Sequence, residues 1–123
     1  MGYESKLFIV RKTSLYDRKS DKVWAEVIAS FDMCKYPPLA DLMRRKPVTD
    51  CYIYADDGDT RIDEDRYGDE LRESSITDVI KVLEEDIKCG NEYRRIFPLL
   101  EALKVFNAEN EQWGDLAVLH YGY

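Results

Sequence analysis

Side chains that can move protons, hold a cation or attack carbon are unevenly represented in this chain, and carboxylates dominate them. In 123 residues there are 25 Asp and Glu against 18 Lys and Arg, with one His and three Cys. The histidine, His120, sits inside the apolar run LAVLHY. A Cys-His or Ser-His pair could be built only around that residue, and no nucleophile stands at a recognisable spacing from it, so it reads as a structural or exposed imidazole. Cys34, Cys51 and Cys89 make no Cys-x-x-Cys pair and leave an odd thiol in any disulfide scheme. Small buried apolar residues of a reduced compartment are the simpler reading, because a zinc site needs four close donors.

The carboxylates concentrate in residues 51–73, CYIYADDGDTRIDEDRYGDELRE. Strand-like alternation leads into Asp57-Gly58, and Asp-Gly is the pair that supplies positive φ at both centres of a two-residue hairpin turn. That register sets Asp56 against Asp59, Ala55 against Thr60, Tyr54 against Arg61, Ile53 against Ile62 and Tyr52 against Asp63. Cys51, Ile53 and Ile62 then point inward, while Tyr52, Tyr54, Asp56, Asp59, Arg61 and Asp63 point outward. A calcium loop with Gly58 at its sixth position places Glu64 correctly at the twelfth, but Ile53 and Ala55 fall where oxygen ligands are required, so the motif fails. A looser magnesium site among Asp56, Asp57, Asp59 and Asp63 lacks any phosphate-gripping loop. A binding surface is the better expectation. Its candidate contact residues are Asp56, Asp57, Asp59, Asp63, Glu64, Asp65, Asp69 and Glu70, joined by Tyr52 and Tyr54, with no catalytic residue and no metal ligand assigned.

Charge placement bears on the partner. Residues 1–55 carry 10 basic and 7 acidic side chains, residues 56–73 carry 3 and 9, and residues 74–123 carry 5 and 9, for a net charge of −7. A phosphate backbone would be repelled by the middle segment, so a basic protein surface is the expected partner and direct nucleic-acid binding is not expected. Nine tyrosines and two tryptophans suit such a surface, with Tyr67, Tyr121 and Tyr123 as further candidates. Arg44, Arg45 and Lys46 form a basic cluster, read as charges complementing a helix C-terminus. No apolar run is long enough to span a membrane and residues 1–10 carry no leader pattern, so a cytoplasmic protein with no cofactor is expected.

The elements that must position these groups follow from periodicity. Residues 6–13 (KLFIVRKT) and 23–31 (VWAEVIASF) read as antiparallel strands joined by a polar loop over 14–22, with Val23, Ala25, Val27, Ala29 and Phe31 on one face. Pro37-Pro38 precedes a short helix over 39–45. The hairpin follows, its strands at 51–56 and 59–64. Ser75 caps a helix over 75–88 with Asp78 three residues on, and Gly90 stops it. Residues 92–106 form a second amphipathic helix that Pro98 starts or kinks, residues 107–114 a polar loop, and 116–121 a terminal strand. The fold class is α+β: one domain, an antiparallel-rich sheet of about five strands with two helices on one face.

Residues 51–71 and the ending QWGDLAVLHYGY over 112–123 resemble small proteins carried by phages and prophages of Gram-positive bacteria. The resemblance covers most of the chain and brings no catalytic motif. It implies a cytosolic accessory protein that binds and inhibits a nucleic-acid-binding host factor, of the anti-CRISPR or DNA-mimic type. Two other readings stand beside it. One is a metal-dependent enzyme or small-nucleotide binder using the hairpin carboxylates, which would require them to converge in a pocket. The other is a virion or assembly component, marked by a self-complementary apolar edge.

Overall fold

The apolar run near the N-terminus forms the middle of a mixed six-stranded sheet. The computed structural model describes residues 5–17, 22–33, 36–55, 58–65, 67–90, 96–109, 112 and 114–122. Strand β1 (Ser5–Asp17) pairs antiparallel with β2 (Lys22–Asp32) on one side and with β6 (Leu116–Gly122) on the other. The full order is β4-β3-β2-β1-β6-β5, with β3 at Cys51–Tyr54, β4 at Arg61–Ile62 and β5 at Arg72–Ser74. Helix α1 (Pro37–Arg44) lies between β2 and β3, and α2 (Ile76–Lys88) and α3 (Ile96–Ala108) lie between β5 and β6.

The α+β class therefore holds, with three departures from the sequence-based expectation. First, β2 and β3 run parallel, because the chain crosses over through α1 instead of turning back directly. Second, there is a sixth strand: RES at Arg72–Ser74 is too short and too charged to show a period of two, and pairing with β6 is what makes it a strand. Third, the short first helix also contributes to the core: α1 joins α2 and α3 in one cluster, where the sequence predicts only two helices covering the sheet.

Backbone pairing also curls the sheet. Val48 bridges Arg72, the Thr49 amide donates to the Leu71 carbonyl at 2.9 Å, and the Glu73 amide donates to the Pro47 carbonyl at 3.2 Å. These bonds join the lead-in of β3 to β5, although the two lie far apart in the strand order. Pairing thus passes from β3 through β2, β1, β6 and β5 and returns to the lead-in of β3, a ring with β4 attached at β3. Two apolar clusters result. Leu7, Ile9 and Val118 pack under the helices with Leu42, Val79, Leu83, Leu99 and Leu103. Val10, Ala25, Cys51, Ile53, Leu71 and Leu119 form the other, on the opposite face of β1 and β6.

A bulge decides which side chains of β2 join which cluster. Ile9 faces Ala29 and the next residue, Val10, faces Val27, so Ile28 is the extra residue. An inserted residue reverses the faces beyond it. Ala29 and Phe31 consequently pack with the helices, while Ala25 and Val27 belong to the second cluster, and the single face expected for Val23 to Phe31 is divided. The expected polar loop is shorter too: Tyr16 pairs with Val23 and Asp17 with Lys22, so residues 14–17 continue β1.

The helix signals act as expected where they are local. The Ser75 hydroxyl accepts from the Asp78 amide at 3.2 Å, satisfying one of the donors that a helix start leaves open. Pro37 and Pro38 occupy the first positions of α1. Pro98 falls in the first turn of α3, where its missing donor removes no bond.

Candidate functional site

The hairpin register is as its Asp-Gly signal indicates. Ile53 pairs with Ile62 and Tyr54 with Arg61, and the Ala55 amide donates to the Thr60 carbonyl at 2.8 Å. The Gly58 amide donates to the Ala55 carbonyl at 2.9 Å, and the expected pairing of Asp56 with Asp59 rests on Asp56, outside the described residues. Gly58 takes φ 75°, which a side chain would strain. Asp56 and Asp57 lie outside the described residues, as does Tyr123.

Beyond β4 the acidic run folds into a second tight turn instead of prolonging a single hairpin. Glu64 bridges Glu70, the Asp65 amide donates to the Asp69 carbonyl at 2.7 Å, and the Leu71 amide donates to the Asp63 carbonyl at 3.3 Å. The Asp65 carboxylate accepts from the amides of Tyr67 at 2.8 Å and Asp69 at 3.0 Å. Asp65 is thus the internal brace of this turn, the role a short carboxylate plays when it replaces a backbone acceptor. Glu64, Asp69 and Glu70 are exposed, and their carboxylates make no hydrogen bond or ion pair among the described residues. Asp63 is half-buried, with Lys22 and Arg61 each 3.9 Å away. Asp59 is exposed.

The two tyrosines part company. Tyr52, expected to face outward, is only 9% exposed, and the Arg61 guanidinium lies 4.0 Å over its ring. A cation seated on an aromatic face closes that ring off from solvent. Tyr54 is 40% exposed, edge-on to Tyr52 at 5.7 Å and tilted against Trp24 at 6.5 Å.

A groove of about 500 Å³ opens between the end of α1 and the second turn, lined by Met43, Arg44 and Val48 together with Asp65, Asp69 and Glu70. Arg72 and His120 also line it. His120 is 4% exposed and the Ser74 hydroxyl meets its Nε2 at 2.6 Å. Burial, with the Lys46 charge nearby, pushes the imidazole down to about 4, so the ring is neutral at pH 7. Ser74 is buried and is not among the lining residues of the groove, which makes it a hydrogen-bond partner fixing the ring and not a presented nucleophile. Ser74 and His120 are 46 residues apart, and no local spacing could have announced them.

The basic cluster is committed within the fold. Lys46 Nζ lies 2.5 Å from the Asp78 carboxylate in the first turn of α2, and this bond holds Asp78 below the usual carboxylate range. Arg45 donates to the Asp41 carbonyl within α1, and Arg44 pairs with the Asp41 carboxylate at 3.1 Å.

One group of three potential metal donors occurs among the described residues, and it lies outside the acidic run: Asp50, Cys51 and Glu73, with ligand atoms within 4.8 Å of one another. Lys12 already supplies the cation. Its Nζ is 2.8 Å from Glu73 and 3.5 Å from Asp50. Burial acts to lower the Lys12 pKa, but hydrogen bonding and charge from Glu73, aided by Cys51 and Asp50, outweigh it and hold the group above its ordinary value. The other Glu73 oxygen accepts from the Thr49 hydroxyl at 2.7 Å. Burial pushes the Cys51 thiol up to about 11, leaving it protonated and poorly suited to ligate a metal or attack an electrophile; Cys89, expected to be buried as well, is exposed just past the end of α2, and Cys34 lies outside the described residues. These residues staple β1, the lead-in of β3 and β5 together.

No protein-family model, curated protein or solved structure matches this chain.

Proposed function

We propose that the protein is a binding module that offers its acidic turns to a basic surface on a nucleic-acid-binding protein and occupies that surface in place of a phosphate backbone. Inhibition of a host factor, of the DNA-mimic or anti-CRISPR type, is the activity such a surface would have. The observation that carries this reading is the braced second turn. Asp65 spends its carboxylate on holding the loop, while Glu64, Asp69 and Glu70 are left exposed and unpaired among the described residues. A rigid array of uncompensated charge lowers the entropic cost of docking and speeds encounter with an opposite charge. A metal-dependent reaction at the acidic run has less support, because no three carboxylates of that run gather into a donor group among the described residues.

Replacing Glu64, Asp69 and Glu70 with Lys changes the local charge by six units and touches no carboxylate that holds the fold. Proteins retained from a Gram-positive lysate by the parent and released by salt would be purified, and their binding to double-stranded DNA measured with each variant added. The parent should displace DNA and the triple variant should not, with a weaker salt dependence of association for the variant. Equal displacement by both, or displacement by neither, would remove the acidic turns from the function.

A further inference from the structure

The groove beside α1 holds opposite charges that do not satisfy one another. Arg72 is half-buried, donates from Nη1 to the Lys46 carbonyl at 2.6 Å, and pairs with no carboxylate among the described residues. Asp69 and Glu70 line the same space and are likewise unpaired there. Such groups gain from a ligand that meets them, since charge-assisted hydrogen bonds are the stronger kind. A ligand of one sign would satisfy one set of charges and be repelled by the other. A ligand carrying both signs satisfies both.

We propose that this groove binds a small zwitterion of the α-amino-acid type, its carboxylate held by Arg72 and Arg44 and its ammonium by Asp69 and Glu70. Arg72 is pre-oriented by its bond to the Lys46 carbonyl, and a planar guanidinium fixed in this way receives a carboxylate in a defined direction. Arg44 has only an exposed pair with Asp41 to give up, both side chains being 67% exposed, and such pairs hold weakly. Met43 and Val48 offer apolar surface for the ligand's side chain. His120, neutral and fixed by Ser74, adds no charge that would repel the ammonium. The space, about 500 Å³, falls within the usual size range of small-molecule sites. The site shares Asp69 and Glu70 with the protein-binding surface proposed above, but Arg72 and Arg44 are not part of that surface, and a titration with no partner protein present reads the groove alone.

Titration by NMR would use three probes: L-leucine, N-acetyl-L-leucine, which lacks the ammonium, and L-leucinamide, which lacks the carboxylate. L-Leucine alone should shift the resonances of Arg72, His120 and Gly122 saturably, with a Kd of about 1 mM. Glu70→Gln and Arg72→Gln should each weaken it at least about tenfold, as expected on losing a charged contact. Because Arg72 also anchors the Lys46 carbonyl, Glu70→Gln carries the test if Arg72→Gln does not fold. Absence of saturable shifts with L-leucine overturns the proposal. So does an equal response to L-leucinamide, which would mean only acidic attraction, and so does unchanged affinity in Glu70→Gln.

Discussion

A buried imidazole is a costly thing to charge, and His120 makes that cost measurable. Its pKa stands near 4 in the folded protein against an ordinary 6.5, with burial as the main cause. Between those values the unfolded chain binds a proton that the folded protein refuses. Stability from this ring is therefore fully present above about pH 6.5 and is lost as pH falls toward 4. The loss between pH 7 and pH 5 should be about 2 kcal/mol. Denaturant unfolding of the parent and of His120→Gln at both pH values isolates it, because the two proteins differ only in that side chain. Equal losses in the two proteins would place the pH dependence elsewhere. The single histidine is visible in the sequence, but its burial and its bond to Ser74 are not, since a hydroxyl 46 residues away becomes a neighbour only through the pairing of β5 with β6.

At the scale of elements, the closure between β5 and the lead-in of β3 rests on few backbone bonds, and side chains reinforce it. Lys12 of β1 reaches Glu73 of β5 at 2.8 Å, and Thr49 reaches the other oxygen of the same carboxylate at 2.7 Å. The pair is about three-quarters buried on both sides, so solvent screens it less than a surface pair, and removing one partner leaves the other poorly solvated. Lys12→Met and Glu73→Gln should each destabilise by about 1–3 kcal/mol, with the double variant recovering about 1–2 kcal/mol of the sum. Chemical denaturation of the four proteins gives the coupling directly. Strictly additive effects would show that the ammonium and the carboxylate do not act as a pair.

For the molecule as a whole, the last strand is the one on which both clusters depend. β6 lies between β1 and β5, and Ala117, Val118, Leu119 and His120 are all buried. Val118 packs under the helices and Ala117 and Leu119 pack in the second cluster. Deleting residues 116–122 should thus abolish cooperative unfolding, not trim an edge, because each cluster loses a wall and β5 loses its partner. Circular dichroism on heating is the check, and a retained sigmoidal transition would mean that one cluster is self-sufficient.

What the sequence determined by itself is local. The Asp57-Gly58 signal fixed which residues of β3 and β4 face each other, Ser75 and Asp78 fixed where α2 begins, and apolar spacing fixed which faces of the helices are buried. Such features depend on backbone preferences within a few residues. Tertiary structure decided the rest. The parallel pairing of β2 with β3, the existence of β5, the reversal of faces at Ile28, the enclosure of Tyr52 under Arg61 and the braced turn at Asp65 all follow from which strands meet. An acidic residue in sequence is simply a charge. Only the fold could separate Asp65, which holds the loop, from Glu64, Asp69 and Glu70, which the loop displays, because hydrogen-bond partners are assigned by geometry and not by composition.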